Sequence, residues 1–181
     1  AVDHAELVRQ VTQHLSNQKS SSRNQRRWKK CPAIHIVKKK DIQQCHVVYG
    51  TQVRLTSNDE KLALLLFNVL FGDGMASRLF QKVREDRGLV YSVYSSVDNF
   101  DNSNGFSIAF SSDEKRAVKA LQVIETEIAD IIANGIRPEE LVFAKKAVTG
   151  SLMLKVESTT ARMTRLAKQV LKEFPRESIE E

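Results

Sequence analysis

The apolar residues of this chain recur first at helical and then at strand spacing. Leu7, Val8, Val11 and Leu15 follow the three-to-four spacing of a helix face, which predicts a helix over 3–15 giving way to the polar stretch from Ser16 to Ser22. Two extended runs come next, 33–37 and 44–53, rich in Val, Ile and Tyr and separated by Lys38-Lys39-Lys40-Asp41. They are expected to pair as neighbouring strands. Ser57 and Glu60 have the spacing of a capping box, in which a hydroxyl and a carboxylate satisfy the free amides of a helix start. The helix so opened, 58–71, is apolar nearly all round and should be central, with Gly72 and Gly74 stopping it. Its most apolar part, 62–71, is interrupted by Asn68 and falls short of the run of about 18 residues that spans a bilayer.

A shorter helix is predicted over 77–86, burying Leu79, Phe80 and Val83. After Gly88 the chain alternates as a strand over 89–97, crosses a polar loop at 98–104, and returns with Phe106, Ile108 and Phe110 on one face. That reads as a long-looped antiparallel hairpin. Ser111 and Glu114 repeat the capping-box spacing ahead of a helix with the face Ala117, Ala120, Leu121, Ile124, Ile128 and Ile131, closed near Gly135. Pro138 then opens a helix to about residue 156, and a last one over about 158–174 carries Met163, Leu166, Ala167, Val170 and Leu171 before Pro175. Strands in adjacent pairs between groups of helices indicate an α+β fold, a largely antiparallel sheet covered by helices on one side.

With 181 residues and 41% hydrophobic content the chain can bury a core, and a fully disordered chain is excluded. The opening AVDHAELV has neither an initiator Met nor a basic leader, so residues 1–17 read as the end of a preceding half-domain or a first helix, 18–31 as a flexible basic linker, and 32–181 as the main domain. A cytoplasmic location is favoured, although a fragment-like start would hide any signal peptide. Cys31 and Cys45 fit neither a disulfide framework nor a zinc knuckle and are read as reduced. The net charge of +6 is concentrated near Arg23, Arg26, Arg27, Lys29 and Lys30, a run better read as a solvated linker than as a nucleic-acid site.

No pair among His4, His14, His35 and His46 has zinc-ligand spacing, so no metal-binding residue is assigned to this chain. Gly72-Asp73-Gly74 is neither a P-loop nor a dinucleotide fingerprint. The remaining chemistry is Arg84 and Tyr91, either side of Gly88. An arginine fork and a protonated phenol can together hold a carbonyl and stabilise the oxyanion it becomes. Residue types alone leave a second reading open, in which Arg84 pairs with Glu85 or Asp86 and Tyr91 is an ordinary strand aromatic.

The segment GDGMASRLFQKVREDRGLVYSVYS resembles the signature of the second half-domain of the pitrilysin-like, or insulinase-like, zinc metallopeptidases, the family of mitochondrial processing peptidase. There a GGGMSSRLF-type loop and helix run into an R-E-x-x-G-L-x-Y turn. Ser57-Asn58-Asp59, GIRPEEL at 135–141, and Glu157-Ser158 followed by Arg162-Met163 extend the likeness over nearly the whole chain. Asp73 replaces a usual glycine and Arg137 a usual capping threonine, and neither touches Arg84 or Tyr91.

The resemblance implies two half-domains closing on a peptide substrate. The first half would carry zinc on a His-x-x-Glu-His motif and a distal Glu. The second half, matched by this chain, would supply Arg84 and Tyr91 as catalytic residues, with Gly72, Gly74 and Arg78 against the substrate. The expected function is therefore the substrate-binding half of a zinc metalloendopeptidase, inactive alone. Its partners would be a peptide and the zinc-bearing half, in the same chain or another subunit, and a homodimer is compatible with that. The alternative is a non-catalytic structural or presequence-binding subunit of the same family.

Overall fold

The computed structural model describes residues 3–16, 34–100 and 103–171. The chain divides into two compact units, Ala1–Lys39 and Lys40–Glu181. In the first, helix α1 (His4–Leu15) starts at Asp3, whose carboxylate accepts from the Ala5 and Glu6 amides at 2.8 and 3.2 Å, satisfying donors that a helix start leaves open. The Leu7, Val8, Val11 and Leu15 stripe is exposed. Residues 34–37 do not form the predicted strand; Ile34, Ile36 and Val37 are exposed and join no ladder. The expected linker at 18–31 lies outside the described residues.

The second unit contains β1 (Cys45–Val53), α2 (Asn58–Phe71), a π-helix (Phe80–Glu85), β2 (Ser92–Phe100), β3 (Ser103–Ser112), α3 (Glu114–Asn134), α4 (Pro138–Glu157) and α5 (Thr159–Leu171). The sheet is antiparallel in the order β1-β3-β2, so the neighbour of β1 is β3 and not the run at 33–37. Register sets Val47, Phe110 and Val93 side by side on the packed face, with Ile108 opposite Ser95 beyond them. The other face carries hydroxyl pairs, Ser92 with Ser111 at 2.7 Å and Ser96 with Ser107 at 2.9 Å. The hairpin is tighter than its polarity suggests. Asp98 pairs with Gly105, Asn99 with Asn104 and Phe100 with Ser103, because the ladder joins backbone groups and tolerates polar side chains at its outer end.

The core gathers Leu70 and Phe71 of α2, Leu79, Val83, Leu89, Val90, Val93, Ile108, Phe110, Ala117, Ala120 and Ile124 of α3, and Ala144 of α4. Ser57 and Glu60 form the expected capping box at α2, with the Glu60 amide donating to Ser57 Oγ at 3.1 Å and the Ser57 amide to Glu60 Oε2 at 3.2 Å. Only the C-terminal end of α2 is central, however. Phe67 and Phe71 pack with Phe106 at centroid distances of 5.3 and 6.3 Å, whereas Leu62 and Leu65 remain exposed. Asn68, the break in the apolar run, is a buried tie to the sheet: Ser95 Oγ donates to its Oδ1 at 2.8 Å.

Two further expectations change. Helix α3 is capped by Asp113, which accepts from the Arg116 amide at 3.0 Å, and not by Ser111, which is still in β3. On α5 the predicted core face is present but open, with Met163, Leu166 and Val170 at 64, 58 and 64% exposure. No helix among the described residues is long and apolar enough to cross a membrane.

Candidate functional site

The segment predicted as an α-helix over 77–86 turns as α only briefly and then widens into the π pattern of Phe80–Glu85, closed by the Asp86 amide donating to the Gln81 carbonyl at 2.8 Å. Such insertions disrupt the i+4 ladder and occur often at functional sites. Val83 points into the core, and Arg84 is exposed with its guanidinium 4.8 Å from the centre of the Phe80 ring. Asp86 pairs with Lys82 at 3.1 Å, and no described carboxylate pairs with Arg84. The pairing of Arg84 with Glu85 or Asp86, open on residue types alone, is therefore absent.

Beyond the helix, the backbone from Gly88 to Tyr91 is braced group by group. The Gly88 amide donates to the Arg84 carbonyl at 2.9 Å, and the Leu89 amide to the Val83 carbonyl at 3.1 Å. The Leu89 carbonyl accepts from buried Ser112 Oγ at 2.6 Å, and the Tyr91 amide donates to the Ser111 carbonyl at 2.8 Å. Gly88 has φ +56°, a conformation that costs a residue with a Cβ strain and glycine none. Arg84 and Tyr91 thus stand at the two ends of one pinned turn, and the Tyr91 side chain is half exposed.

A residue that the sequence reading did not single out meets this turn. Arg116 Nη1 donates to the Gly88 carbonyl at 2.7 Å and its Nε to Asp113 Oδ2 at 2.6 Å, while its guanidinium carbon lies 5.9 Å from the centre of the Tyr91 ring. Asp113 is the main cause holding the Arg116 proton more firmly than usual. No local spacing signals this, because Arg116 is 28 residues from Gly88.

The other expected site residues have evident positions. The Gly72 carbonyl accepts from the Ser95 amide at 3.2 Å, so closely that a Cβ on Gly72 would stand 2.6 Å from the Ser95 nitrogen. Gly74 has φ +101° and open space around it, with its carbonyl accepting from Ser77 Oγ at 2.6 Å. Arg78 is drawn inward and all three of its nitrogens are engaged. Nε and Nη2 donate to the two Glu140 oxygens at 2.7 Å each, and Nη1 to Asp130 Oδ2 at 2.8 Å. Glu140, at the start of α4, also accepts from the Arg137 amide at 3.0 Å. The Arg78 guanidinium, ahead of Arg137, holds the Glu140 carboxyl down to about 2 against desolvation, which acts the other way.

Among the described residues no group of three or more His, Cys, Asp or Glu side chains is placed to hold a metal ion. These residues do not fit a zinc site. What the arrangement offers is a set of hydrogen-bond donors, a guanidinium that pairs with no carboxylate among the described residues, and a half-exposed phenol on a hydrogen-bonded turn.

The chain is 33% identical over 177 residues to an uncharacterized zinc protease of Mycobacterium leprae, covering 94% of this chain and 40% of that protein. It is 34% identical over 143 residues to an uncharacterized zinc protease of Bacillus subtilis, covering 77% of this chain and 35% of that one. It therefore spans about two fifths or less of these relatives. A conserved protein of Enterococcus faecalis has the same fold at TM-score 0.78 and 22% identity, over 99% of this chain and 43% of that one. Residues 1–148 match the family described as the peptidase M16 inactive domain, and the chain belongs to that family.

Proposed function

We propose that this chain is the substrate-positioning half of a zinc metalloendopeptidase, with Arg84 and Tyr91 donating hydrogen bonds to the carbonyl oxygen of the peptide bond to be cut. The observation that carries this reading is the state of Arg84. Of the arginines at the turn and its helix, Arg78 and Arg116 meet carboxylates and Arg87 donates to the Lys82 carbonyl, whereas Arg84 is exposed, braced on Phe80 and paired with no described acid. An exposed guanidinium at one end of a pinned turn and a half-exposed phenol at the other suit an oxygen that gains negative charge.

In this reading Gly72 and Gly74 shape the loop that faces the substrate, and Arg78 anchors that loop and its helix to α3 and α4. On the same reading zinc would supply the hydrolytic chemistry from a second half-domain, a division supported by the zinc-protease relatives of greater length. The chain's own residues bind the carbonyl, orient it and stabilise charge on its oxygen.

Reconstitution tests the proposal. This chain alone should neither cleave an unfolded peptide nor hold stoichiometric zinc, and cleavage should appear when it is joined to, or mixed with, the half encoded with it. Peptide binding without cleavage in the reconstituted protein would select the non-catalytic, presequence-binding alternative.

A further inference from the structure

The geometry points to Arg116 as a positioning residue for Tyr91, a role that rests on the reading in which the Tyr91 hydroxyl meets the substrate carbonyl. Hydrogen bonds fix the Tyr91 backbone, but its side chain is half exposed, and an exposed ring has more than one rotamer to choose from. The Arg116 guanidinium lies within cation–π reach of that ring, 5.9 Å from its centre. It is also held in place from two directions.

Asp113 takes Nε at 2.6 Å, and the Gly88 carbonyl takes Nη1 at 2.7 Å. Asp113 is itself the cap of α3, so the bracket is built on a helix start and ends on the turn that presents Tyr91. A planar fork can meet Asp113, Gly88 and the ring face together, whereas a lysine ammonium on its flexible stem cannot reproduce that set. Arg116 thus links α3 to the Tyr91 ring and limits the orientations that the side chain can take.

Tyr91 is one of three tyrosines, with Tyr49 and Tyr94, so its ring signals can be assigned by substitution. In NMR spectra of the chain with isotope-labelled tyrosine rings, Arg116→Ala should move the Tyr91 signals towards unfolded-chain values and leave those of Tyr49 and Tyr94 in place. Unmoved Tyr91 signals would overturn the inference. In the protein assembled with its second half, Arg116→Ala should lower kcat about two- to fivefold with KM little changed, the size expected of an exposed cation–π contact. Arg116→Lys should restore only part of it.

Combined with Tyr91→Phe, Arg116→Ala should add no further loss, because it acts through the hydroxyl that is already gone. Fully additive losses, or a rise in KM at constant kcat, would overturn the positioning role. If Tyr91→Phe cleaves as well as wild type, the donor reading of Tyr91 fails instead, and the ring signals alone then decide whether Arg116 orders Tyr91.

Discussion

Arg78 and Glu140 meet as a two-pronged ion pair across 62 residues of sequence, Nε on Oε1 and Nη2 on Oε2 at 2.7 Å each. Their side chains are 10 and 14% exposed, so water does little to screen the pair. It joins the helix after the glycine loop to the start of α4, while Nη1 reaches Asp130 near the end of α3. Removing Arg78 leaves Glu140 with only the more exposed Arg137 as its cationic partner, in a site with little water. Arg78→Ala should therefore lower stability by about 3 kcal/mol, as breaking a largely buried pair does. Chemical denaturation checks this, and Arg78→Lys should fall between the two because an ammonium cannot present the fork.

The same pair sets an acid limb. Glu140 has its carboxyl depressed from 4.5 to about 2, chiefly by Arg78. A depressed carboxyl contributes stability that is fully present above its unfolded value and is lost as pH falls through the folded one. The wild-type advantage over Glu140→Gln should hold above pH 4.5 and shrink between 4.5 and about 2. Unfolding free energies of both proteins across that window give the test, and a gap that ignores pH would contradict the assignment.

The two loop glycines should fail differently when changed. At Gly72 an added Cβ meets the Ser95 backbone nitrogen at 2.6 Å, so Gly72→Ala must push α2 from β2 and should cost about 1–3 kcal/mol, in the range of an overpacked core. At Gly74 there is room and only the φ of +101° opposes a side chain, so Gly74→Ala should cost about 1 kcal/mol of backbone strain. Thermal unfolding of the two variants orders them.

Much of this was legible locally. The Ser57–Glu60 box, the Pro138 start and the Phe106, Ile108, Phe110 face all depend on residues close in sequence, and each appears in the structure. The Ser111–Glu114 spacing misled because Ser111 is still held in the ladder opposite Ser92, and a spacing rule does not see a strand partner. The residues 34–37 have strand composition but join no ladder, and β1 pairs instead with a strand more than 50 residues on, a choice that local composition does not encode. The stripe on α5 was visible, but what covers such a stripe is not written in its period.

At the candidate site, the family signature pointed to Arg84 and Tyr91. The brace around them did not show, because Arg116 and Ser112 reach the turn from 28 and 23 residues away. The commitment of Arg78 to Glu140 was hidden for the same reason.

The measurement that bears most directly on the central claim is the steady-state rate of peptide cleavage by the assembled two-half protein, compared among wild type, Arg84→Ala and Tyr91→Phe. If these side chains stabilise the oxyanion, each change should lower kcat by about 10²- to 10³-fold, the usual effect of losing such a donor, while the proteins stay folded. Undiminished cleavage in both variants would contradict the account.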